Sequence, residues 1–226
     1  MEKFAPFIMC VIFIFIAFCL WRLALKISSL AARKKILSYD LASKESTSVL
    51  LMSYFGEFAV RPDKWLPVMT RLGKMYSLVD DIIFLPTCIA VVKVKSMSGQ
   101  VFNGPSRKWT QSVRLRSGEH KEVEFENPII ENERNIIAIT KIFEKEKITP
   151  PPMYNIVIFS SDKVVFSEES PEVYTLSDAV KKLKSLSDGK KIPLKERMAY
   201  IRAVKKYSTT KSAARANNKK IASMNK

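Results

Sequence analysis

The longest apolar stretch of the chain lies at its N-terminus. Phe4 to Trp21 form 18 consecutive positions without a charged side chain, and the run stays mostly apolar to Leu25. At about 1.5 Å per residue, a helix over this stretch can cross a bilayer core of about 30 Å, with Arg22 reaching back to the headgroups. We therefore predict a transmembrane anchor over residues 1–25.

A cleaved signal peptide is the alternative interpretation of this stretch. Signal peptides need a positively charged start, a shorter apolar core and small residues at the cleavage site. Here Glu2 offsets Lys3, and the bulky Phe18 precedes Cys19, so a retained single-pass anchor is favoured. Apart from Lys3, the basic residues beside the anchor lie on its C-terminal side and are Arg22, Lys26, Arg33, Lys34 and Lys35. By the positive-inside rule, they predict that the rest of the chain is cytoplasmic.

The next segments predict a linker and then a domain of helices and strands. Residues 26–50 are mixed basic and polar, and we interpret them as a juxtamembrane helix or linker. A domain is predicted over residues 51–188. It begins with apolar residues at helical spacing, which Pro62 ends. The segment Lys64 to Leu72 is predicted to be a second helix, with Pro67 in its first turn.

Strand patterns dominate the middle of this domain. Met75 to Leu85 and Cys88 to Val94 are rich in apolar and β-branched residues, which predicts two strands. The alternation over Arg107 to Phe125, with Ser117-Gly118 between its halves, predicts a β-hairpin. The continuous apolar run Asn155 to Phe159 is typical of a central strand that is covered on both faces.

Two helices are indicated by their start signals. Asn127 and Pro128 supply an N-cap and a first-turn proline for the first of them. Ser177 and Asp178 are expected to cap the second, over Ala179 to Leu186. The predicted fold class is α/β in the broad, α+β sense: a transmembrane helix, a mixed sheet flanked by helices, and a basic C-terminal tail.

The positive charge of the chain is concentrated at its C-terminus. The 226 residues include 38 basic and 22 acidic side chains, a net charge of +16. Residues 181–226 alone contain 15 basic and 2 acidic side chains, so the preceding part is nearly neutral. We interpret residues 189–226 as a basic, partly disordered tail, in which residues 192–207 can form an amphipathic helix.

The composition excludes several kinds of chemistry. The single histidine, His120, rules out a site built on two imidazoles, and three cysteines are too few for a disulfide scaffold. Neither a GxxxxGK[ST] nor a GxGxxG string occurs, so nucleotide hydrolysis and a nucleotide cofactor are not expected. We expect His120 on the surface at the hairpin tip and Cys88 as a small residue of the core.

Six strings in a defined order suggest a family. They are Gly56-Glu57-Phe58-Ala59-Val60, Asp81 to Pro86, Ile89 to Gly99, Trp109-Thr110-Gln111, Asn127 to Asn132 and Ile156 to Ser160. Together they resemble the NERD domain, the nuclease-related domain of bacteria and archaea, over about residues 51–186. The resemblance implies a restriction-endonuclease-like core and, for the anchor, the inner membrane of a bacterium.

The resemblance also implies where a nuclease site would lie. Such nucleases use an aspartate on one strand, Glu-x-Lys on the next and often a glutamine on a following helix, and their carboxylates hold a divalent cation. Here Lys93-Val94-Lys95 stands at the Glu-x-Lys position, and Glu131 stands at the glutamine position. The segment expected to carry the aspartate is shortened to Thr87-Cys88. Because an ammonium group repels a cation, we expect no metal and no enzymatic activity.

The remnants of that site allow two interpretations. The remnant residues are Glu57, Lys93, Lys95 and Glu131. Lys93 and Lys95 lie two positions apart, and therefore on one face of a strand. They are either a phosphate-binding pair or structural lysines, with Lys93 paired to Glu57 or Glu131 in place of the metal. Asp80 and Asp81 can in principle supply a displaced carboxylate, but without a glutamate partner they make a poor metal site, and we interpret them as charges at the entry of a strand.

The candidate nucleic-acid or anion-binding residues combine this pair with the basic tail. They are Lys93, Lys95, Lys190, Lys191, Arg197, Arg202, Lys205, Lys206, Lys211, Arg215, Lys219 and Lys220. Their targets can be nucleic acid, the anionic lipids of the cytoplasmic leaflet, or an acidic partner protein. Only Tyr200 and Tyr207 are aromatic in the tail, which disfavours stacking of single-stranded bases.

These observations lead to one expected function and two alternatives. We expect a non-catalytic, membrane-anchored binding or assembly component of a bacterial inner-membrane complex, such as secretion or DNA-transfer machinery. The first alternative is a membrane-anchored nucleic-acid-binding protein. The second is a residual metal-dependent nuclease.

Overall fold

The computed structural model describes residues 15–18, 20–22, 43–114 and 118–224. The chain divides into two units, Met1–Ala42 and Ser43–Lys226. In the first unit, the described residues 15–18 and 20–22 are helical. The rest of the predicted anchor lies outside the described residues, as do Lys26, Arg33, Lys34 and Lys35. Among the helices that the structure describes, none combines the length and the apolar character needed to cross a membrane.

The second unit contains five helices and nine strands among its described residues. The helices are α1 (residues 43–55), α2 (Pro128–Lys145), α3 (Leu176–Leu186), α4 (Leu194–Tyr207) and α5 (Lys211–Ser223). The strands are β1 (Val60–Thr70), β2 (Gly73–Phe84), β3 (Ile89–Lys95), β4 (Gly99–Phe102), β5 (Lys108–Arg114), β6 (His120–Glu126), β7 (Met153–Phe159), β8 (Val164–Phe166) and β9 (Val173–Thr175).

A five-stranded mixed sheet is the centre of this unit. Its strand order is β1-β2-β3-β7-β9, with β1, β2 and β3 antiparallel and β3, β7 and β9 parallel. The predicted strand at Asn155 to Phe159 is confirmed as part of β7, which lies between β3 and β9. Its residues Ile156 to Phe159 are fully buried, because both faces of this sheet are covered.

Helices cover both faces of the five-stranded sheet. On one face, α1 and α3 pack against β3 through residues such as Leu51, Leu183 and Val92. On the other face, α2 and α4 pack through Phe143 and Val204, among others. The mixed α/β architecture expected from the sequence is therefore present, with helices on both sides of the sheet.

A second, four-stranded sheet has the order β6-β5-β4-β8. The predicted β-hairpin is confirmed as β5 and β6, which pair from Lys108 opposite Glu126 onwards. Ser117 at its predicted tip lies outside the described residues, while Gly118 adopts a φ of +89° that suits glycine. Trp109 is buried beneath this sheet, and its ring N–H donates to the Gly104 carbonyl at 2.8 Å.

The prediction of a helix at Lys64 to Leu72 is wrong, because this segment forms β1. β1 pairs with β2 over ten positions, so the hydrogen bonds between the two strands override the local helical spacing. Pro67 is tolerated in the strand because it lies opposite Tyr76, whose N–H and C=O bond the side chain of Asn218. The missing N–H of Pro67 therefore removes no bond from that pair.

The predicted start of α2 is confirmed, and that of α3 is shifted. The Asn127 side chain accepts a hydrogen bond from the Ile129 N–H, and Pro128 is the first helical residue. In α3 the N-cap is Thr175, whose hydroxyl accepts from the Asp178 N–H, so this helix begins three residues before the predicted one. Asp178 lies in its first turn, where a negative charge suits the helix dipole.

The prediction of a partly disordered tail does not match the structure. Residues 194–207 and 211–223 form α4 and α5, and the apolar stripe of α4 is buried at Tyr200, Ile201, Ala203 and Val204. Burial of this stripe against α2 and β2 stabilises the helix. The many charged residues of the segment lower its average hydrophobicity, so its composition alone suggests disorder.

Candidate functional site: a buried ion cluster in a strand fork

The candidate site lies where β2 and β3 separate. These strands pair from Phe84 opposite Ile89 to Asp81 opposite Val92, and beyond that point β3 continues beside β7. Asp80 lies at the opening of this fork and is 2% exposed. Its carboxylate accepts a hydrogen bond from the Val94 N–H at 2.9 Å, which satisfies a main-chain donor that β2 no longer reaches.

Five charged side chains meet at this fork, and we call them the ion cluster: Lys44, Asp80, Lys93, Lys95 and Glu131. The Lys93 ammonium contacts the Glu131 carboxylate directly and lies 3.7 Å from an Asp80 oxygen. Lys95 bonds the second oxygen of Glu131 at 3.2 Å. Lys44, on α1, lies 3.3 Å from the other oxygen of Asp80.

The ion cluster contains three ammonium groups and two carboxylates, so its formal charge is +1. Lys93 and Asp80 are almost fully buried, whereas the side chains of Lys44, Lys95 and Glu131 are 14–24% exposed. Burial alone would raise the pKa of Glu131, but the ammonium groups of Lys93 and Lys95 outweigh it and lower that pKa. Glu131 therefore carries its negative charge throughout the neutral range.

Buried amides hold α2 in the position that brings Glu131 to the cluster. Asn132 is fully buried, and its side-chain N–H₂ donates to the Val91 carbonyl at 2.7 Å and to Asn155 at 2.8 Å. Asn155 in turn donates to the Ile129 carbonyl at 3.0 Å. These bonds fix the first turns of α2 against β3 and β7, so the carboxylate beside Asn132 has a defined location.

Asp81 has a different environment from its neighbour Asp80. It is fully buried, one oxygen accepts from the Ser48 hydroxyl at 2.8 Å, and the other oxygen has no hydrogen-bond partner among the described residues. Burial raises the pKa of Asp81 to about 7; the Ser48 bond opposes this rise, and the Asp80 charge adds to it. Asp81 thus titrates near neutrality inside the protein.

The structure brings three of the four predicted site remnants together. Lys93, Lys95 and Glu131 are in the ion cluster, so of the two predicted partners of Lys93 the structure selects Glu131. Glu57 is exposed in the turn after α1, where its main-chain oxygen accepts from Arg61 at 2.6 Å. Glu57 differs from the other three in burial: they lie in the fork, whereas Glu57 is exposed to solvent.

Sequence reasoning missed two members of the cluster. The interpretation of Asp80 and Asp81 as strand-entry charges is wrong, because both are buried, and Asp80 lies beside Lys93. Thr87-Cys88 lies between β2 and β3 and carries no aspartate, and the carboxylate that β2 places beside Lys93 is that of Asp80. The sequence signal that could have identified Asp80 was the presence of two carboxylates inside a predicted strand. Lys44 had no signal, since it lies in a segment interpreted as a linker.

Most of the predicted basic residues are exposed, and they lie on elements other than those of the ion cluster. The exposed ones are Lys190, Lys191, Arg202, Lys205, Lys206, Lys211, Arg215, Lys219 and Lys220. Arg197 instead reaches inward and donates to the Phe84 carbonyl at 2.8 Å. Lys206 is engaged by Glu146 at 2.8 Å. The positions expected for His120 and Cys88, exposed and buried respectively, are confirmed.

The ion cluster is a poor match to the donor set of a metal site. Among the residues that the structure describes, no three His, Cys, Asp or Glu side chains are grouped in a way that could hold a metal ion. Asp80 and Glu131 supply carboxylate oxygens, the ligands that hard cations prefer, but an ammonium group lies between them.

Comparison with known proteins supports the resemblance for part of the chain. The family model of the nuclease-related domain, NERD, matches residues 70–160. This range includes β2, β3, α2 and β7, and therefore Asp80, Lys93, Lys95 and Glu131, while Lys44 and Glu57 precede it. No curated protein and no solved structure matches the chain. The match covers less than half of the chain and includes four of the five residues of the ion cluster.

Proposed function

We propose that this protein is a non-catalytic relative of the NERD nucleases, in which a lysine takes the place of the catalytic metal ion. The observation that carries the proposal is the position of the Lys93 ammonium, in contact with Glu131 and 3.7 Å from Asp80. In this role the fold is a binding domain rather than a hydrolase.

Simple electrostatics supports the replacement of metal by lysine. A divalent cation would compete with an ammonium group that two carboxylates already neutralise, in a region where charges are poorly screened. Lys44 and Lys95 add two more positive charges around the same carboxylates. Each carboxylate of the cluster already has an ammonium partner, and the cluster has a net charge of +1. An incoming cation would therefore gain little favourable electrostatic energy and would be repelled.

The proposed setting is a membrane-bound protein assembly. The uncharged run Phe4 to Trp21 and the basic residues that follow it support an anchor with the domain on the cytoplasmic side of a bacterial inner membrane. A folded domain without hydrolytic chemistry then serves to bind another component, for example in secretion or DNA transfer. Co-purification from detergent-solubilised membranes, followed by mass spectrometry, identifies that component.

The test of the non-catalytic proposal is a cleavage assay on supercoiled and linear DNA with Mg²⁺ or Mn²⁺. The wild-type protein is expected to leave both substrates intact. Cleavage that depends on the metal and disappears in Lys95→Ala would show that the protein is a nuclease. The Lys108→Ala variant is the control, because Lys108 forms only an exposed pair with Glu124.

Restoration of the missing carboxylate gives a second test. Lys93→Glu converts Lys93-Val94-Lys95 to Glu-x-Lys and leaves Asp80 and Glu131 in place. We expect Mn²⁺ to raise the melting temperature of this variant and to leave the wild type unchanged, because three carboxylates then face one cavity. Lys108→Glu makes the same charge change on the surface and is expected to behave as the wild type does. An equal Mn²⁺ effect on the wild type contradicts the proposal.

Nucleic-acid binding is the second candidate function, and the exposed cations of α4 and α5 favour it. Binding of duplex DNA should then weaken steeply with salt, since each phosphate contact releases a counterion. Deletion after Asp188 is unsuitable as a test, because it removes the buried stripe of α4. Arg215→Gln with Lys219→Gln removes two exposed charges without that damage. Unchanged DNA affinity in this variant argues against binding through α5.

A further inference from the structure

We propose that the tip of the β1–β2 hairpin and the C-terminal end of α5 form a docking surface for an anionic lipid bilayer. We call it the tip surface; its residues are Met69, Arg71, Leu72, Lys74, Lys220 and Met224. The inference extends the proposed function, which brings the domain close to a membrane, and it assigns a part of the domain that would contact the lipid.

The two elements of the tip surface are held together by specific contacts. The Asn217 side chain donates to the Lys74 carbonyl at 2.9 Å, and the Asn218 amide bonds both the N–H and the C=O of Tyr76 at 2.8 Å. The Ile221 side chain lies against Gly73 at the hairpin turn. Asn217, Asn218 and Ile221 are spaced so that they lie on one face of α5. Their contacts hold this face along the outer half of β2.

This arrangement places the end of α5 beside the hairpin tip. Lys220 and Met224 are four residues apart and are neighbours on one flank of the helix, next to the face that Ile221 presents to Gly73. In the hairpin, Met69 lies opposite Lys74, and the turn contains Arg71 and Leu72. Apolar and basic side chains therefore alternate over a continuous patch.

Large apolar side chains on this patch are exposed. Met69 is 69% exposed, Leu72 46% and Met224 71%. Exposed apolar groups of this size, grouped and surrounded by charge, are typical of an interaction site. Unbranched methionine side chains adapt to an irregular partner such as the headgroup and acyl boundary of a bilayer.

The charges around these apolar groups have a single sign. Residues 64–79 and 197–226 provide the outer part of the hairpin, most of α4 and all of α5, and they contain no acidic side chain. Such a surface complements a dense array of phosphates. Duplex DNA would also satisfy the charges, but its phosphates offer no apolar partner for the exposed side chains of Met69 and Met224. A bilayer satisfies both, because headgroup phosphates bind the cations and the interface accepts the apolar groups.

The test is co-sedimentation of residues 43–226 with lipid vesicles. This fragment lacks the N-terminal apolar run and contains all three hydrophobic clusters of the fold, so its folding does not need the removed part. Vesicles of phosphatidylcholine alone are compared with vesicles that also contain phosphatidylglycerol. We expect binding only to the second kind, and release of the bound fragment by salt.

Two double variants report on the tip surface. Arg71→Gln with Lys220→Gln is expected to weaken vesicle binding about thirtyfold, and Met69→Ser with Met224→Ser about tenfold. The matched controls are Lys121→Gln with Lys141→Gln, and Ile137→Ser with Val165→Ser, which change exposed residues elsewhere. The controls are expected to bind as the wild type does.

Several results would overturn the proposal. They are an absence of binding to the anionic vesicles, equal binding to pure phosphatidylcholine, and control variants that lose as much affinity as the tip variants. Binding of duplex DNA but not of vesicles, weakened by the Arg71 and Lys220 changes alone, would assign the surface to nucleic acid. Because Lys93 is unchanged throughout, these failures leave the non-catalytic proposal standing, and carbonate extraction of the full chain tests the anchor separately.

Discussion

At the scale of single residues, Lys93 is a buried cation paired with carboxylates. Its ammonium compensates two carboxylates that are otherwise forced together in the fork between β2 and β3. The sequence identified this lysine because it stands where a carboxylate is expected from the NERD resemblance. It also offered Glu57 and Glu131 as possible partners, and the structure pairs Lys93 with Glu131. Asp80 could not be recognised in the same way, because its role depends on the separation of two strands, which no local pattern encodes.

Removal of the Lys93 charge should destabilise the fold. We expect Lys93→Met to lower the free energy of unfolding by about 3 kcal/mol, since it leaves Asp80 and Glu131 close together without the buried ammonium. Urea denaturation at neutral pH measures the change. Lys108→Met is the matched control for an exposed ion pair and should have little effect. A Lys93→Met variant as stable as this control would show that the buried pairing does not stabilise the protein.

Asp81 should make the stability of the protein depend on pH. Its pKa rises from 3.8 to about 7 on folding, so the folded state keeps a proton that the unfolded chain releases. Its contribution to stability is therefore complete below about pH 4, is lost progressively as the pH rises to about 7, and is constant above that.

The Asp81→Asn variant isolates this contribution. An amide does not titrate, although its own unbonded N–H adds a constant cost. We therefore expect the variant to gain stability relative to the wild type by up to about 4 kcal/mol between pH 4 and pH 8. Urea denaturation of both proteins across this range gives the difference. A difference that stays flat with pH would mean that Asp81 is ionised in the folded protein at all these values.

At the scale of secondary-structure elements, the side chain of Asn218 acts like a strand neighbour for β2. It bonds both main-chain groups of Tyr76, on the edge of β2 that β3 does not reach. This contact explains why a polar, basic segment is ordered as α5. It also explains why a proline is accepted at position 67, opposite Tyr76.

Loss of this amide should expose the strand edge. Asn218→Ala leaves the N–H and C=O of Tyr76 without partners, and we expect a loss of about 1–2 kcal/mol in stability. Hydrogen exchange at the Tyr76 amide should become faster, and mass spectrometry of peptides that contain it can measure this. Asn217→Ala removes one exposed bond and is the control. Equal exchange rates in both variants would show that Asn218 does not protect the strand.

The elements that could be predicted were those with local signals. The cap and proline of α2, the alternation of β5 and β6, and the apolar run of β7 all specify their structure within a few residues. β1 could not be identified, because its strand conformation depends on pairing with β2. For α4, the amphipathic pattern of residues 192–207 indicated the helix, but the basic composition gave no sign that its apolar stripe is buried against α2.

At the scale of the whole molecule, the basic C-terminal segment is part of the core and not an appendage. Deletion after Asp188 would remove Tyr200, Ile201, Ala203 and Val204, all buried against α2 and the sheet. We expect the truncated protein to lose roughly 5 kcal/mol or more, which approaches the whole stability of an ordinary domain. Circular dichroism during urea denaturation should then show no cooperative transition. A transition like that of the full chain would mean that α4 is dispensable.

The molecule thus combines a buried ion cluster in a strand fork with a positive surface. The direct test of its central claim is crystallography with Mn²⁺, with anomalous scattering used to locate the ion. The account predicts no anomalous peak between Asp80 and Glu131, because the Lys93 ammonium occupies the space between their carboxylates. A peak bonded to oxygens of both carboxylates, with Lys93 displaced, would contradict the replacement of metal by lysine.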